Sequence, residues 1–505
     1  MRRIGSPLLL SLVLTASFAT GAWAQDTASG SATATPTTKT PAQNPTTPSP
    51  TPATDPATPA ATPAPPAAPT PQTTPQIVTN TPLPTPTSPL ALHIGDADVT
   101  IGGFMDATSV TRSVDTGTGI GTSFGTIPFS NTAAGSLPET RLSAQNSRVT
   151  LGATSKAGDW NVRGYLEADF LGAGPTNQFV TSNSATLRMR LYWVQAMTGK
   201  FEFLGGQSWS MITPGRTGIS PNPGDIFYSQ DMDTNYQMGL TWGRVNQFRF
   251  VYHASKVVAA GVSLENPEQY TGGAVTLPAA FTAGEVDNGA NTATPNLYPD
   301  VIGKIAFDPQ TGKTHQHIEF GGLARGFKTF DAPTANTFTA TGKGGFVDVN
   351  LEPVKNLHLI GTYFNSTGGG RYIANTNIPD FIVNSNSSIS LVKSNSFIAG
   401  VEEQATSKSL IYVYYSEAQA DAATTTDTNG KAIGFGVLAQ NGANQKITEA
   451  SVGLTQIFFR DPKIGGMQAI LQYSYVKRTP FSVAANAPTF AKANMVFVDI
   501  RYILP

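Results

Sequence analysis

Residues 159–170 read DWNVRGYLEADF. In an extended chain, Trp160, Val162, Leu166 and Phe170 fall on one face. Asn161, Arg163, Tyr165, Glu167 and Asp169 fall on the other, which is the period of a half-buried strand. The same alternation recurs in LRMRLYWV, with Leu187, Met189, Leu191 and Trp193 set against Arg188, Arg190 and Tyr192. It recurs again in NQFRFVYH, with Phe248, Phe250 and Tyr252 set against Gln247, Arg249 and His253. A soluble sandwich turns its apolar face to a core. A membrane barrel turns it to lipid and lines the lumen with the charged face.

Composition narrows the choice. Charged residues make up 13% of the 505 residues, against roughly 25% in soluble domains. A formal net charge of -1 offers no basic field for nucleic acid. The absence of cysteine excludes disulfides, thiolate metal sites and cysteine nucleophiles. After the N-terminus no apolar run approaches the roughly 20 residues of a spanning helix. The chain reads as all-β.

The N-terminus has the pattern of an export signal over residues 1–24. Arg2 and Arg3 precede the apolar run PLLLSLVLTASFATGA, and Ala22-Trp23-Ala24 forms a small-x-small cleavage site. Residues 25–90 are rich in Pro, Thr and Ala, lack the side chains that would offset ordering entropy, and read as a disordered, semi-rigid spacer. Residues 95–505 then form the folded domain.

Connection lengths select the barrel. Short turns (SKAGD, MTGK, HASK, DPQTGKT, EPVKN, ATSKS, RDPKIGG) alternate with long segments near 109–142, 210–244, 266–298, 367–394 and 418–446. Short periplasmic turns, long outer loops and an even strand count mark an outer-membrane barrel. Treating YQMGLTW as lead-in to the sixth strand keeps the alternation and predicts about sixteen antiparallel strands. Their centres fall near residues 103, 149, 165, 191, 204, 250, 261, 304, 320, 348, 361, 400, 413, 453, 471 and 499. Tyr473, Tyr475, Tyr502 and Trp193 are expected in the aromatic girdles. The alternative is a secreted β-sandwich adhesin, which explains the signal and spacer but not the alternation. No nucleophile or metal signature surrounds the five histidines. His315 and His317 share a strand face beside a turn and are read as structural. No enzyme activity, metal or cofactor is expected.

Three stretches, NSRVTLGATS (146–155), GGQSWS (205–210) and NQFRFVYHASKVVAAGVSLENPE (246–268), resemble the DcaP-like trimeric outer-membrane porins. That family carries a motif like AGQTWS after a comparable strand, and later an Arg-bearing strand, a short turn and a strand ending in ENPE. The resemblance spans roughly residues 97–505. It implies a sixteen-stranded barrel, a homotrimer in outer-membrane lipid, and passive uptake of small, often anionic solutes. The family's coiled-coil segment after the signal is replaced here by the Pro-rich spacer.

In general porins, which this architecture resembles, the third outer loop folds into the lumen. Here that loop follows GGQSWS. Pro214, Pro221 and Pro223 stiffen it, and Asp225, Asp231 and Asp233 would bring acidic charge to the pore. Strand periodicity places Arg148, Arg163, Arg188, Arg190 and Arg249 on the polar faces of neighbouring strands, as a basic wall opposite that loop. Rings of such charge set pore selectivity. The competing reading is that these arginines only satisfy Glu167, Asp169 and Glu202 on the same wall. Lys304 and Arg325 are secondary lumen candidates.

Overall fold

The computed structural model describes residues 90–172, 186–226, 237–289, 294–437 and 442–505. The signal, nearly all of the spacer, Asp231 and Asp233 lie outside the described residues.

Alternating side chains build one closed antiparallel barrel of sixteen strands. They are β1 (Ala97–Arg112), β2 (Arg148–Ala157), β3 (Trp160–Gly172), β4 (Thr186–Thr198), β5 (Phe201–Trp209), β6 (Arg244–His253), β7 (Val258–Glu265) and β8 (Asp300–Phe307). They continue as β9 (Thr314–Asp331), β10 (Asn336–Val354), β11 (Leu357–Thr367), β12 (Lys393–Thr406), β13 (Ser409–Ala420), β14 (Asn444–Asp461), β15 (Gly465–Pro480) and β16 (Ala491–Ile503). Pairing of Phe104 with Ile503 through Arg112 with Met495 closes β1 on β16, so no sheet edge is left open in the membrane. Each expected strand centre lies inside its strand, and Gln237–Trp242 is loop.

The outer surface is an apolar belt. Phe248, Val413, Leu471, Val498 and Ile500 are exposed, while their strand neighbours Gln247, Tyr412, Gln472 and Asp499 are buried. A soluble sandwich would bury the first set, so the chain does not form the adhesin alternative. The closed barrel and its belt place the protein in the outer membrane.

Three features depart from the simple reading. The fifth loop-end connection is a tight turn at residues 332–335, with Ala335 at φ 54, so the short/long alternation has one exception. Beyond Ala324 and Lys343, β9 and β10 run on past β8 and β11 as a two-stranded ribbon. Second, Trp193 is not in a girdle. Glu167 pairs with Leu191 but Ala168 pairs with Met189, which leaves Arg190 as the extra residue of a β-bulge. The bulge shifts the phase of β4. Leu187 and Met189 face out, Arg190 and Leu191 both face in, and Trp193 follows them inward at 5% exposure. A period of two cannot foresee an inserted residue. Third, much of the loop-end half of the lumen is apolar. Val110, Phe346, Phe364 and Phe497 of the wall pack with Phe124 and Ile127 of loop 1, Ile373 of loop 6 and Phe435 of loop 7.

Gly206 sets the local twist opposite Trp193. It holds φ 129, and a Cβ there would lie 2.4 Å from the Tyr192 carbonyl oxygen. Gly206→Ala is expected to cost about 1–3 kcal/mol in backbone strain. The check is the temperature at which the folded gel band converts to the unfolded one, which should fall.

Candidate functional site

The described parts of loop 3 (residues 210–226 and 237–243) enter the barrel and dock on the wall formed by β8–β14. Arg216 makes a two-pronged pair with Glu402 of β12, at 2.9 and 3.0 Å. Glu402 also accepts from the Tyr414 hydroxyl at 2.5 Å. The Gly215 amide donates to Glu319 at 2.9 Å, and the Gly218 amide donates to Asp308 at 3.0 Å. Lys304 donates to the Thr213 carbonyl and to Glu319 at 2.9 and 2.8 Å. On the return, the Met238 amide donates to Glu449 at 2.6 Å. Glycine at 215 and 218 keeps these amides free of flanking side-chain bulk. The far edge of the loop presents Asn222, which accepts a short hydrogen bond from Arg163 of β3. Loop 3 therefore spans the lumen from the acidic wall to the basic one.

The basic wall is a charge cluster over β2–β4. Arg190 donates to Glu167 at 2.6 Å and to Asp169 at 2.9 Å. Arg188 grips Asp169 with two bonds, at 2.9 and 2.7 Å. Arg148 pairs with Glu167 at 3.3 Å, and the Tyr165 hydroxyl donates to the same carboxylate at 2.9 Å. Three guanidiniums thus share two carboxylates, leaving one positive charge in excess. Arg249 lies apart on β6, donating to Gln247 and to the Trp209 carbonyl at 3.1 and 2.6 Å. Glu202 on β5 is taken by His253 at 3.0 Å. Arg163 lies 5.4 Å from the Trp193 ring, which itself stacks on Tyr165.

Two residues of this region were not picked out from the sequence. Arg244, the first residue of β6, lies 5.7 Å from the Trp209 ring and makes no hydrogen bond or ion pair among the described residues. The charges acting on it are those of Arg190, Arg188, Asp169 and Glu167. Its position in the ambiguous TWGRVN stretch gave no strand phase to read. Arg216 stood in plain view as the only arginine of its loop, but its partner is 186 residues away.

A cavity of about 960 Å³ opens at the short-turn end, between loop 3 and the wall. Lys156, Arg163, Glu202, Asn222, Asp225 and Asp308 are among its lining. Burial pushes the Asp225 carboxyl above the usual carboxylate range, against the pull of Arg216 and Arg163.

A second network pins loops 4 and 6 at the opposite end. Arg325 of β9 bonds Asp300 at 2.9 Å, Asp380 at 2.7 Å and the Glu268 carbonyl at 2.6 Å. Arg371 of loop 6 pairs with Glu268 of loop 4 at 3.2 Å. Asp287 shares a hydrogen bond with Glu268, and its carboxyl is pushed up to about 7, by burial first and then by that neighbour.

No family model and no curated protein matches the chain. Among solved structures, the outer-membrane channel DcaP of Acinetobacter baumannii superposes with a TM-score of 0.58 at 18% identity, covering 81% of this chain and 98% of that one. The chain has a DcaP-like porin fold. An anion-selective porin from Comamonas acidovorans aligns at 10% identity and a TM-score of 0.45, over 81% of this chain and 99% of its own. OprB of Pseudomonas putida aligns at 10% identity and a TM-score of 0.44, over 80% and 94%.

Two predictions follow from the two networks of this porin fold. Arg216→Ala strands Glu402 in the wall without its partner, a loss of about 3–5 kcal/mol for a buried pair. Loop 3 is expected to undock, and single-channel current in a planar bilayer should become larger and noisier than that of the parent. For Asp287 the folded carboxyl titrates above its unfolded value of about 4. Its stabilisation is complete below that value and lost as pH rises through 7. Protection of the loop 4 amides from hydrogen exchange, taken relative to the intrinsic rate at each pH, should therefore fall between about pH 6 and 8, and Asp287→Asn should flatten that fall.

Proposed function

We propose that the protein is a porin for passive diffusion of small hydrophilic solutes, with a preference for anions. The passage runs between loop 3 and the arginine wall, and the assembled form is a homotrimer in outer-membrane lipid. The observation that carries the anion preference is the charge balance of that wall. Arg148, Arg188 and Arg190 exceed Glu167 and Asp169 by one charge. Arg163 and Arg244 make no ion pair among the described residues and add two more. Asp225, facing Arg163 from loop 3, offsets one. In a narrow channel with low-dielectric walls such an excess focuses the field and raises the local concentration of counter-charged solute.

This balance divides the roles among the arginines. Arg188 and Arg190 hold the wall together, and their charge is largely spent on Glu167 and Asp169. Arg163 and Arg244 are the groups left to meet a solute, with donors in a geometry that suits carboxylates and phosphates. Lys304 and Arg325 position loops 3, 4 and 6. The likeness to the DcaP channel supports the channel reading at the level of fold.

The test is the reversal potential of purified protein in a planar bilayer under a potassium chloride gradient. The parent should lean toward anions. Arg244→Gln and Arg163→Gln should each move the potential toward cations while leaving the unheated gel mobility unchanged. A cation-leaning parent would overturn the anion assignment, and absence of stepwise current from folded protein would overturn the channel itself.

A further inference from the structure

The outward faces of β10–β16 carry a line of cations at the loop end of the barrel. Lys343 and Lys393 both pair across Thr367 of β11, so they stand at one level on either side of that strand. Farther round, Lys477 of β15 and Lys492 of β16 are direct cross-strand partners. Thr448 joins that row between Lys477 and Glu417, and Lys446 lies one step beyond it. Ile447, Val476, Arg478, Ala491 and Ala493 beside the second group are buried, as are Gly342 beside Lys343 and Val392 and Ser394 beside Lys393, so all these lysines point away from the lumen.

Like charges set directly opposite each other destabilise a sheet. Here the repulsion has little internal relief. Lys446 pairs with Glu417 at 2.6 Å, and at the loop end of these outward faces Glu417 is the one carboxylate among the described strand residues. Asp421 follows just past the end of β13. Lys343, Lys393, Lys477 and Lys492 make no ion pair among the described residues. Lys477 stands 4.5 Å from the exposed Phe490 ring.

The height of the row identifies its surroundings. One residue pair toward the turns lie Tyr415 and Tyr475, and one further lies Tyr473. Below them the outward positions become Val413, Val452, Leu471, Val496 and Val498, all exposed. This order of apolar band, tyrosines and then lysines is that of a membrane–water interface. Lysine stems lie along apolar surface while their ammoniums reach the headgroup layer.

We propose that this row is a docking surface for a phosphorylated glycolipid of the outer leaflet, with the Lys477–Lys492 pair and the Lys343–Lys393 pair each holding a headgroup phosphate. A phosphate between two opposed ammoniums turns their repulsion into two charge-assisted contacts. The acyl chains then lie on the apolar band below. The proposal depends on the orientation of the barrel in the membrane and not on the selectivity of the pore.

The experiment is native mass spectrometry of the full-length protein in detergent, titrated with a bis-phosphorylated, acylated glucosamine disaccharide. The parent should bind it, and the fully dephosphorylated lipid should bind much more weakly. The quadruple variant Lys343→Gln, Lys393→Gln, Lys477→Gln, Lys492→Gln should lose affinity by about fivefold for each lysine that touches a phosphate. Unheated gel mobility shows that it remains folded. If it does not, the double variants Lys343→Gln/Lys393→Gln and Lys477→Gln/Lys492→Gln read the same loss one site at a time. Equal binding by parent and variants, or equal binding of the dephosphorylated lipid, would overturn the proposal. Displacement of the lipid by millimolar inorganic phosphate would also overturn it, because the site would then belong to a soluble anion.

Discussion

The grip of loop 3 on the acidic wall is the constraint on which the rest of the lumen depends. A sixteen-stranded barrel encloses an aqueous channel by its circumference alone. What makes this one narrow is a chain segment held across it. The hold is strong because it combines a two-pronged Arg216–Glu402 pair with backbone amides of Gly215 and Gly218 on fixed carboxylates. Glu319 and Asp308 are themselves tied by His317, which stands between them at 3.2 and 2.8 Å. The strands are a rigid scaffold, so the loop inherits their precision.

With the loop in place, the two walls take different tasks. On the β8–β14 side the carboxylates are consumed in holding the loop. On the β2–β6 side the arginines outnumber the carboxylates that order them. Burying ion pairs brings no great net stability, since desolvation opposes the Coulomb gain. Their use here is positional. Glu167 and Asp169 fix Arg148, Arg188 and Arg190 as a rigid, slightly positive surface, to which Arg163 and Arg244 add charge that Asp225 offsets in part. Loop 3 faces that surface with Asp225, whose carboxyl is pushed by burial above the usual carboxylate range.

How much of this could be read from the sequence follows the range of each interaction. Strand phase is local, so all sixteen strands and the inward set of Arg148, Arg163, Arg188, Arg190 and Arg249 were legible from alternation. The bulge at Arg190 was not, because one inserted residue leaves composition unchanged while inverting the phase of Leu191 and Trp193. The tight turn at 332–335 escaped because a barrel's outer loops are long only on average. Arg216 with Glu402, and the apolar packing of Phe124, Ile373 and Phe435 in the lumen, join segments far apart in the sequence. No spacing rule reaches them.

The division of the cations tells the two environments apart. Among the described strand residues, the fully buried inward cations are arginines at 112, 148, 190, 249, 325, 478 and 501, with Lys304 the one lysine among them. The outward row at the loop end is lysine throughout. Inside, a cation must serve several fixed acceptors at once, and a planar guanidinium with five donors does so without losing its charge. Arg325 shows this by bonding two carboxylates and two carbonyls from one side chain. Outside, the partner is a mobile headgroup layer with no fixed geometry, and a flexible stem bearing a compact charge reaches it at less entropic cost than an ordered fork. Exchanging the two residue types would leave the net charge as it is, yet the lumen would lose its ordering contacts.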